Sequence, residues 1–301
     1  MRFIFLAAAA ALATPLSAVS ASPVAQAQSA EVRLPHISIV TEGSGSPVVF
    51  IPGLSSPRAV WDQSAAALRG KHKLILVQVN GFAGDEPGAN LQPGILKGIG
   101  DDLSAYLKRE KIGPVHLVGH SMGGLTSLLF ANDHPDQVES LMIVDALPFF
   151  PVLMDPNATA EQAKPIAAMM HDKVAASYGK PIDEAAVEAN VRGLSLKPIS
   201  IALTKSWAAK ADARVTAGAL YEDMVTDARP LLPAIKAPIT VVVPWSETAF
   251  GRERTLTFYA KQYAGAANVR FADIGDAGHF VMRIPAFGRL QLMTGPASVW
   301  P

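Results

Sequence analysis

Five short apolar runs constrain this chain more than any other feature. They are "SPVVFI" (46–51), "KLILVQV" (73–79), "PVHLV" (114–118), "VESLMIV" (138–144) and "ITVVV" (239–243). Each is too short for a helix of ordinary length, is rich in β-branched residues, and stops at a glycine, proline, asparagine or aspartate, which is how buried strands read. Helical patterns lie between them: "SSPRAVWDQSAAALRG", with Trp61, Ala65 and Leu68 at helical spacing, then "ILKGIGDDLSAYLKREKIG" and "MGGLTSLLFANDHP". Strands that are apolar throughout, alternating with helices, predict an α/β fold with a mostly parallel central sheet and helices on both faces.

The alternation lapses once. Residues 147–232 are alanine-rich and helical, with no strong strand run before "PITVVVP". This predicts a helical insertion within a core formed by 31–146 and 233–301, where "RERTLTFYAKQYAG" is a further helix and "NVRFADIG" a further strand. With 301 residues, half of them hydrophobic, there is ample material for one such domain.

Composition removes several classes of function. The formal net charge is zero and no basic stripe is present, so nucleic acid is not an expected partner. There is no cysteine, which excludes thiol nucleophiles, thiolate metal sites and disulfides. No paired metal histidines, calcium loop or phosphate cradle appears, so neither metal nor cofactor is expected. The first 27 residues carry Arg2, an apolar stretch from Phe3 to Ala13 and a small-residue region, the pattern of a secretory signal peptide. Cleavage after Ala21 or after Ala27 fits, and the expected destination is the periplasm or the medium, without a stable membrane anchor.

The chemistry centres on "VHLVGHSMGG" (115–124). Gly119, Ser121 and Gly123 form G-x-S-x-G between a strand and a helix, the context in which a tight turn presents a serine for attack. The alternative is a serine that caps the helix. With "VVFIPGLSS" upstream and "DAGHF" downstream, residues 32–287 resemble the α/β-hydrolase family, in its serine esterase- and lipase-like branch with a helical cap.

That resemblance implies Ser121 as nucleophile, His279 as base and two backbone amides, of Leu54 and Met122, as oxyanion hole. For the acid it leaves a choice. Asp145 ends the "LMIVDA" strand and is preferred, Glu247 in "PWSETAFG" is the alternative, and Asp276 is a third possibility. His120 is expected to pack beside the serine or shape the pocket. Trp207, in the expected cap, is a further pocket candidate. The implied reaction is hydrolysis of a small-molecule carboxylic ester through an acyl-enzyme. Amide or peptide hydrolysis is the alternative, and a ligand-binding protein on the same scaffold is a third. A serine in place of a carboxylate nucleophile argues against epoxide hydrolysis and dehalogenation.

Overall fold

The computed structural model describes residues 30–192 and 198–283. The leader expected over 1–27 and the C-terminal "FGRLQLMTGPASVWP" lie outside them. The apolar runs become strands of one eight-stranded sheet. In chain order they are β1 (Val32–Arg33), β2 (Ile37–Gly43), β3 (Ser46–Ile51), β4 (His72–Val79), β5 (Val115–His120), β6 (Val138–Val144), β7 (Ile239–Pro244) and β8 (Val269–Ile274). Their order across the sheet is β1-β2-β4-β3-β5-β6-β7-β8. All pairings from β4 onward are parallel, whereas β1–β2 and β2–β4 are antiparallel.

The single strand suggested by "VRLPHISIVTEG" is thus two. Pro35 has no N–H to give a ladder, and Leu34 N–H instead donates to Ile37 O at 2.8 Å, closing a tight turn that folds β1 back on β2.

Side chains of the parallel strands alternate between two cores. Val49 and Ile51 of β3 enter one apolar cluster, while Val48 and Phe50 enter the other. The first is covered by α2 (Ile95–Arg109), α3 (Met122–Asp133) and, through Tyr259, α8 (Arg252–Gln262). The second is covered by Val60 and Trp61 and by α1 (Asp62–Leu68). This is the two-faced packing that strands without polar positions require.

Among the described residues between β6 and β7 are four α-helices: α4 (Ala160–Ala175), α5 (Glu184–Arg192), α6 (Pro198–Lys210) and α7 (Ala213–Val225). Among the described residues, no helix is long and apolar enough to cross a membrane.

The strand order reverses at β3. The chain moves outward from β3 to β4, then returns to lay β5 on the other side of β3. In a parallel sheet the loops leaving the strands diverge at such a point and open a crevice beyond the strand ends. Ile51 pairs with Gly119 there, so the loops after β3 and β5 leave the sheet side by side.

Candidate active site

Ser121 stands between β5 and α3 with φ 53° and ψ −125°. An L-residue at positive φ outside the usual left-handed well costs on the order of 1–3 kcal/mol. The turn tolerates it because its neighbours lack side chains. A Cβ on Gly123 would lie 2.5 Å from the carbonyl oxygens of both Ile51 and Pro52, and one on Gly119 would collide with Gly123 O and Ser127 Oγ. Ser121 occupies the N-cap position of α3, yet its side chain makes no capping hydrogen bond. The backbone alone holds the turn: Ser121 N–H donates to Val144 O at 3.0 Å, and Ser121 O accepts from Gly124 and Leu125. The hydroxyl is left half-buried and uncommitted, which disposes of the capping alternative.

The strain is shared around this end of the sheet. Six non-glycine residues among those described have positive φ, and all but Lys111 lie just past the C-terminal end of a strand: Ser55, Ala83, Ser121, Asp145 and Asp276.

Asp145 leaves β6 at φ 44°. Its N–H donates to Val242 O at 3.0 Å. Its Oδ2 accepts from His279 Nδ1 at 2.6 Å, and its Oδ1 accepts from the hydroxyl of Tyr259. Tyr263, one helical turn further along, donates to Ala146 O at 2.9 Å. Two tyrosines at i and i+4 therefore grip consecutive residues of the loop that presents the carboxylate. Burial, then the adjacent Asp145 charge, pushes the Tyr259 hydroxyl well above the ordinary phenol range, so it stays a donor. Neither tyrosine is singled out by the sequence; their spacing in "FYAKQY" is the signal it offers.

His279 sits in the loop after β8. With Nδ1–H given to Asp145, its Nε2 is left as an acceptor. Its backbone carbonyl accepts from His120 Nε2 at 2.9 Å, and the two rings lie 4.4 Å apart. His120 is 1% exposed, wedged among Trp61, His279 and Phe280. Burial, then any positive charge on His279, holds its pKa well below the usual histidine range, and the carbonyl it meets requires its one proton on Nε2. Of the two roles expected for His120, the structure supports packing: it stands behind His279 rather than on an open wall. Trp207 of α6 reaches the same neighbourhood, 6.3 Å from the Phe280 ring, and is half-buried.

The other carboxylates lie apart from this pairing. Glu247 is exposed near Gly251, and Asp276 is exposed at the start of the His279 loop. Of the three alternatives left open by sequence, Asp145 is the one that meets His279.

The loop after β3 runs against the serine: a Cβ on Gly53 would fall 3.0 Å from Ser121 Cβ and 2.8 Å from His120 Nδ1. Leu54 follows, half-buried, and among the described residues its N–H has no acceptor. Met122 is the first residue of α3, so its N–H has no carbonyl to reach within the helix. Two unspent amides thus flank the serine, and the start of α3 adds its dipole. Among the described residues, no group of three or more histidine, aspartate or glutamate side chains is arranged to hold a metal ion.

Comparison with known proteins agrees with this fold. The chain is 31% identical over 114 residues to a pimeloyl-acyl-carrier-protein methyl ester esterase of Aeromonas hydrophila, a match covering 38% of this chain and 43% of that one. It is 31% identical over 142 residues to an sn-1-specific diacylglycerol lipase of Mus musculus, covering 46% and 45%. The matches therefore span less than half the length of these relatives. Among solved structures, a thermophilic esterase from Thermogutta terrifontis superposes with a TM-score of 0.68 at 21% identity, over 88% of this chain and 96% of that one. The enol-lactonase from Burkholderia xenovorans gives 0.66 at 20%, over 84% and 94%. The model of the alpha/beta hydrolase family matches residues 48–286, and with the sheet order, the strained serine turn and that match together, the chain belongs to this family.

Proposed function

We propose that this protein hydrolyses carboxylic esters through an acyl-enzyme on Ser121. The observation that carries the reading is the pairing of His279 Nδ1 with Asp145 at 2.6 Å, beside a serine whose hydroxyl the helix does not use as a cap. An ester carbonyl would lie between Ser121 Oγ and the amides of Leu54 and Met122. As Oγ bonds to the carbonyl carbon, His279 Nε2 takes its proton, and the carbonyl electron pair moves onto the oxygen facing the two N–H groups. Asp145 stabilises the imidazolium and keeps its proton on Nδ1. Collapse breaks the bond to the alkoxy oxygen, which leaves with the proton from Nε2. Water then attacks the acyl carbon while His279 accepts its proton, and a second collapse frees the acid and restores Ser121. Each oxyanion donor contributes roughly 3 kcal/mol to such a step.

Ester rather than amide chemistry is supported by the names of the relatives, a methyl ester esterase and a diacylglycerol lipase. The four helices between β6 and β7 are proposed as the cap that selects the substrate, and the N-terminal pattern supports export. The test is turnover of a series of p-nitrophenyl esters beside peptide arylamides, by wild type and by Ser121→Ala. Ester turnover that disappears in the variant supports the reading. Arylamide turnover exceeding ester turnover would move it to amide hydrolysis.

A further inference from the structure

Asp223 is a carboxylate that the acyl-transfer scheme does not use. It lies on α7, is 9% exposed, and makes no hydrogen bond or ion pair among the described residues. A buried carboxylate without donors costs several kcal/mol when ionised, and an arrangement so unfavourable calls for a reason.

The placement of α7 supplies one. Asp212 N–H donates to Gly81 O at 2.7 Å at the start of the helix. Thr216 bonds through its hydroxyl to Ser55 at 2.9 Å, one residue past the oxyanion candidate Leu54. Near the far end, the Glu222 carboxylate accepts the N–H groups of Gly94, Ile95 and Leu96 at 2.6–3.0 Å, holding α7 to the start of α2. Thr216 and Asp223 are two helical turns apart and so share a face, about 10 Å from each other along the axis. The face that touches the oxyanion loop at Thr216 therefore carries Asp223 further along. Burial pushes this carboxyl up to about 7, and a positive charge forming on the His279 imidazole would oppose that rise. The side of α7 that meets the oxyanion loop at Thr216 thus carries, two turns further along, a carboxylate without a partner among the described residues.

We propose that Asp223 is the recognition point for a cationic nitrogen on the substrate, so that the esters this protein prefers carry an ammonium group in the part lying along α7. The inference rests on the Ser121 reading of the site. A bound cation supplies the missing counter-charge, and a site with a buried polar group awaiting its partner rejects the isostere that lacks it far more strongly than an apolar pocket does.

The test uses two isosteric pairs at pH 8, one for each side of the ester bond. They are choline butyrate against 3,3-dimethylbutyl butyrate, and p-nitrophenyl 4-(trimethylammonio)butyrate against p-nitrophenyl 5,5-dimethylhexanoate. In wild type, at least one pair is expected to show kcat/KM about tenfold or more in favour of the cation, a difference of roughly 1.4 kcal/mol. Asp223→Asn is expected to lower that ratio at least tenfold. A wild-type ratio of one or less in both pairs, or a ratio unchanged in Asp223→Asn, overturns the proposal. Loss of both members of a pair in parallel overturns it too, since that marks a structural or imidazolium-stabilising role. Should Ser121→Ala retain wild-type turnover, the acyl-enzyme reading fails on its own account. The cation site is then read by calorimetric titration of tetramethylammonium chloride: binding that Asp223→Asn abolishes supports it, and equal or absent binding overturns it.

Discussion

His120 Nε2 donates to the carbonyl oxygen of His279 across 2.9 Å, so the residue beside the nucleophile holds the backbone of the base. The contact joins two strand-end loops 159 residues apart in the chain. Removing the donor leaves a carbonyl unpaired and the His279 loop free to shift. His120→Leu is expected to lower kcat about tenfold to a hundredfold with KM little changed, the effect of a misplacement of about 1 Å. His120→Gln, whose amide N–H reaches about as far as Nε2, is expected to recover most of the loss. Equal defects in the two variants would mean that ring packing, not the hydrogen bond, is what matters.

Asp145 and Glu247 are separable by a pair of conservative changes. Asp145→Asn is expected to reduce kcat by about 10⁴, because an amide at that position favours the wrong tautomer of His279. Glu247 is exposed and outside the pairing, so Glu247→Gln is expected to stay within about twofold of wild type. Steady-state kinetics on one activated ester decides; the reverse order would reassign the acid.

Gly123 has no room for a methyl group against the carbonyls of Ile51 and Pro52, whose oxygens lie 2.5 Å from where its carbon would stand. Gly123→Ala is expected to destabilise the fold by about 1–3 kcal/mol, the usual cost of overpacking, and to depress activity further because Ser121 and Met122 must shift. Urea unfolding gives the first quantity. A variant of wild-type stability and rate would show that the turn yields freely to a methyl group.

Asp223 also leaves a mark on stability. Its folded-state pKa of about 7 lies above the unfolded value near 3.8. Between those values the folded chain holds a proton that the unfolded chain has released, so this group's contribution to stability falls as pH rises through the window, and the full penalty is present above 7. Asp223→Asn removes the penalty. It is expected to raise stability at pH 8 by roughly 2–4 kcal/mol, with the gain shrinking toward pH 5. Thermal melts at the two pH values check it, and a variant less stable at pH 8 than at pH 5, relative to wild type, contradicts the sign.

The strands and the serine turn can be read from sequence because each depends on local chemistry. Val48–Ile51 has no polar position, so it has to be buried on both faces, and G-x-S-x-G announces a turn that only small neighbours permit. The split at Pro35 is hidden because "VRLPHISIV" keeps its alternation while the proline removes a single donor. The partner of His279 stays open for a different reason. Asp145 and Glu247 both follow strands, and which of them faces the histidine depends on β6 lying between β5 and β7, a pairing that no local pattern encodes. Tyr259, Tyr263 and Asp223 escape notice for the same cause: an isolated tyrosine or aspartate on an amphipathic helix looks like ordinary surface or core until the helix is docked.

The central claim is that Ser121 is the nucleophile and His279, paired to Asp145, its base. Reaction of the folded protein with a fluorophosphonate, followed by peptide mass mapping, tests it most directly. The expected result is a single adduct on Ser121, formed at a rate that His279→Ala lowers by orders of magnitude and heat denaturation abolishes. An unmodified Ser121 in protein that is folded by circular dichroism, or an adduct at another residue, would contradict it.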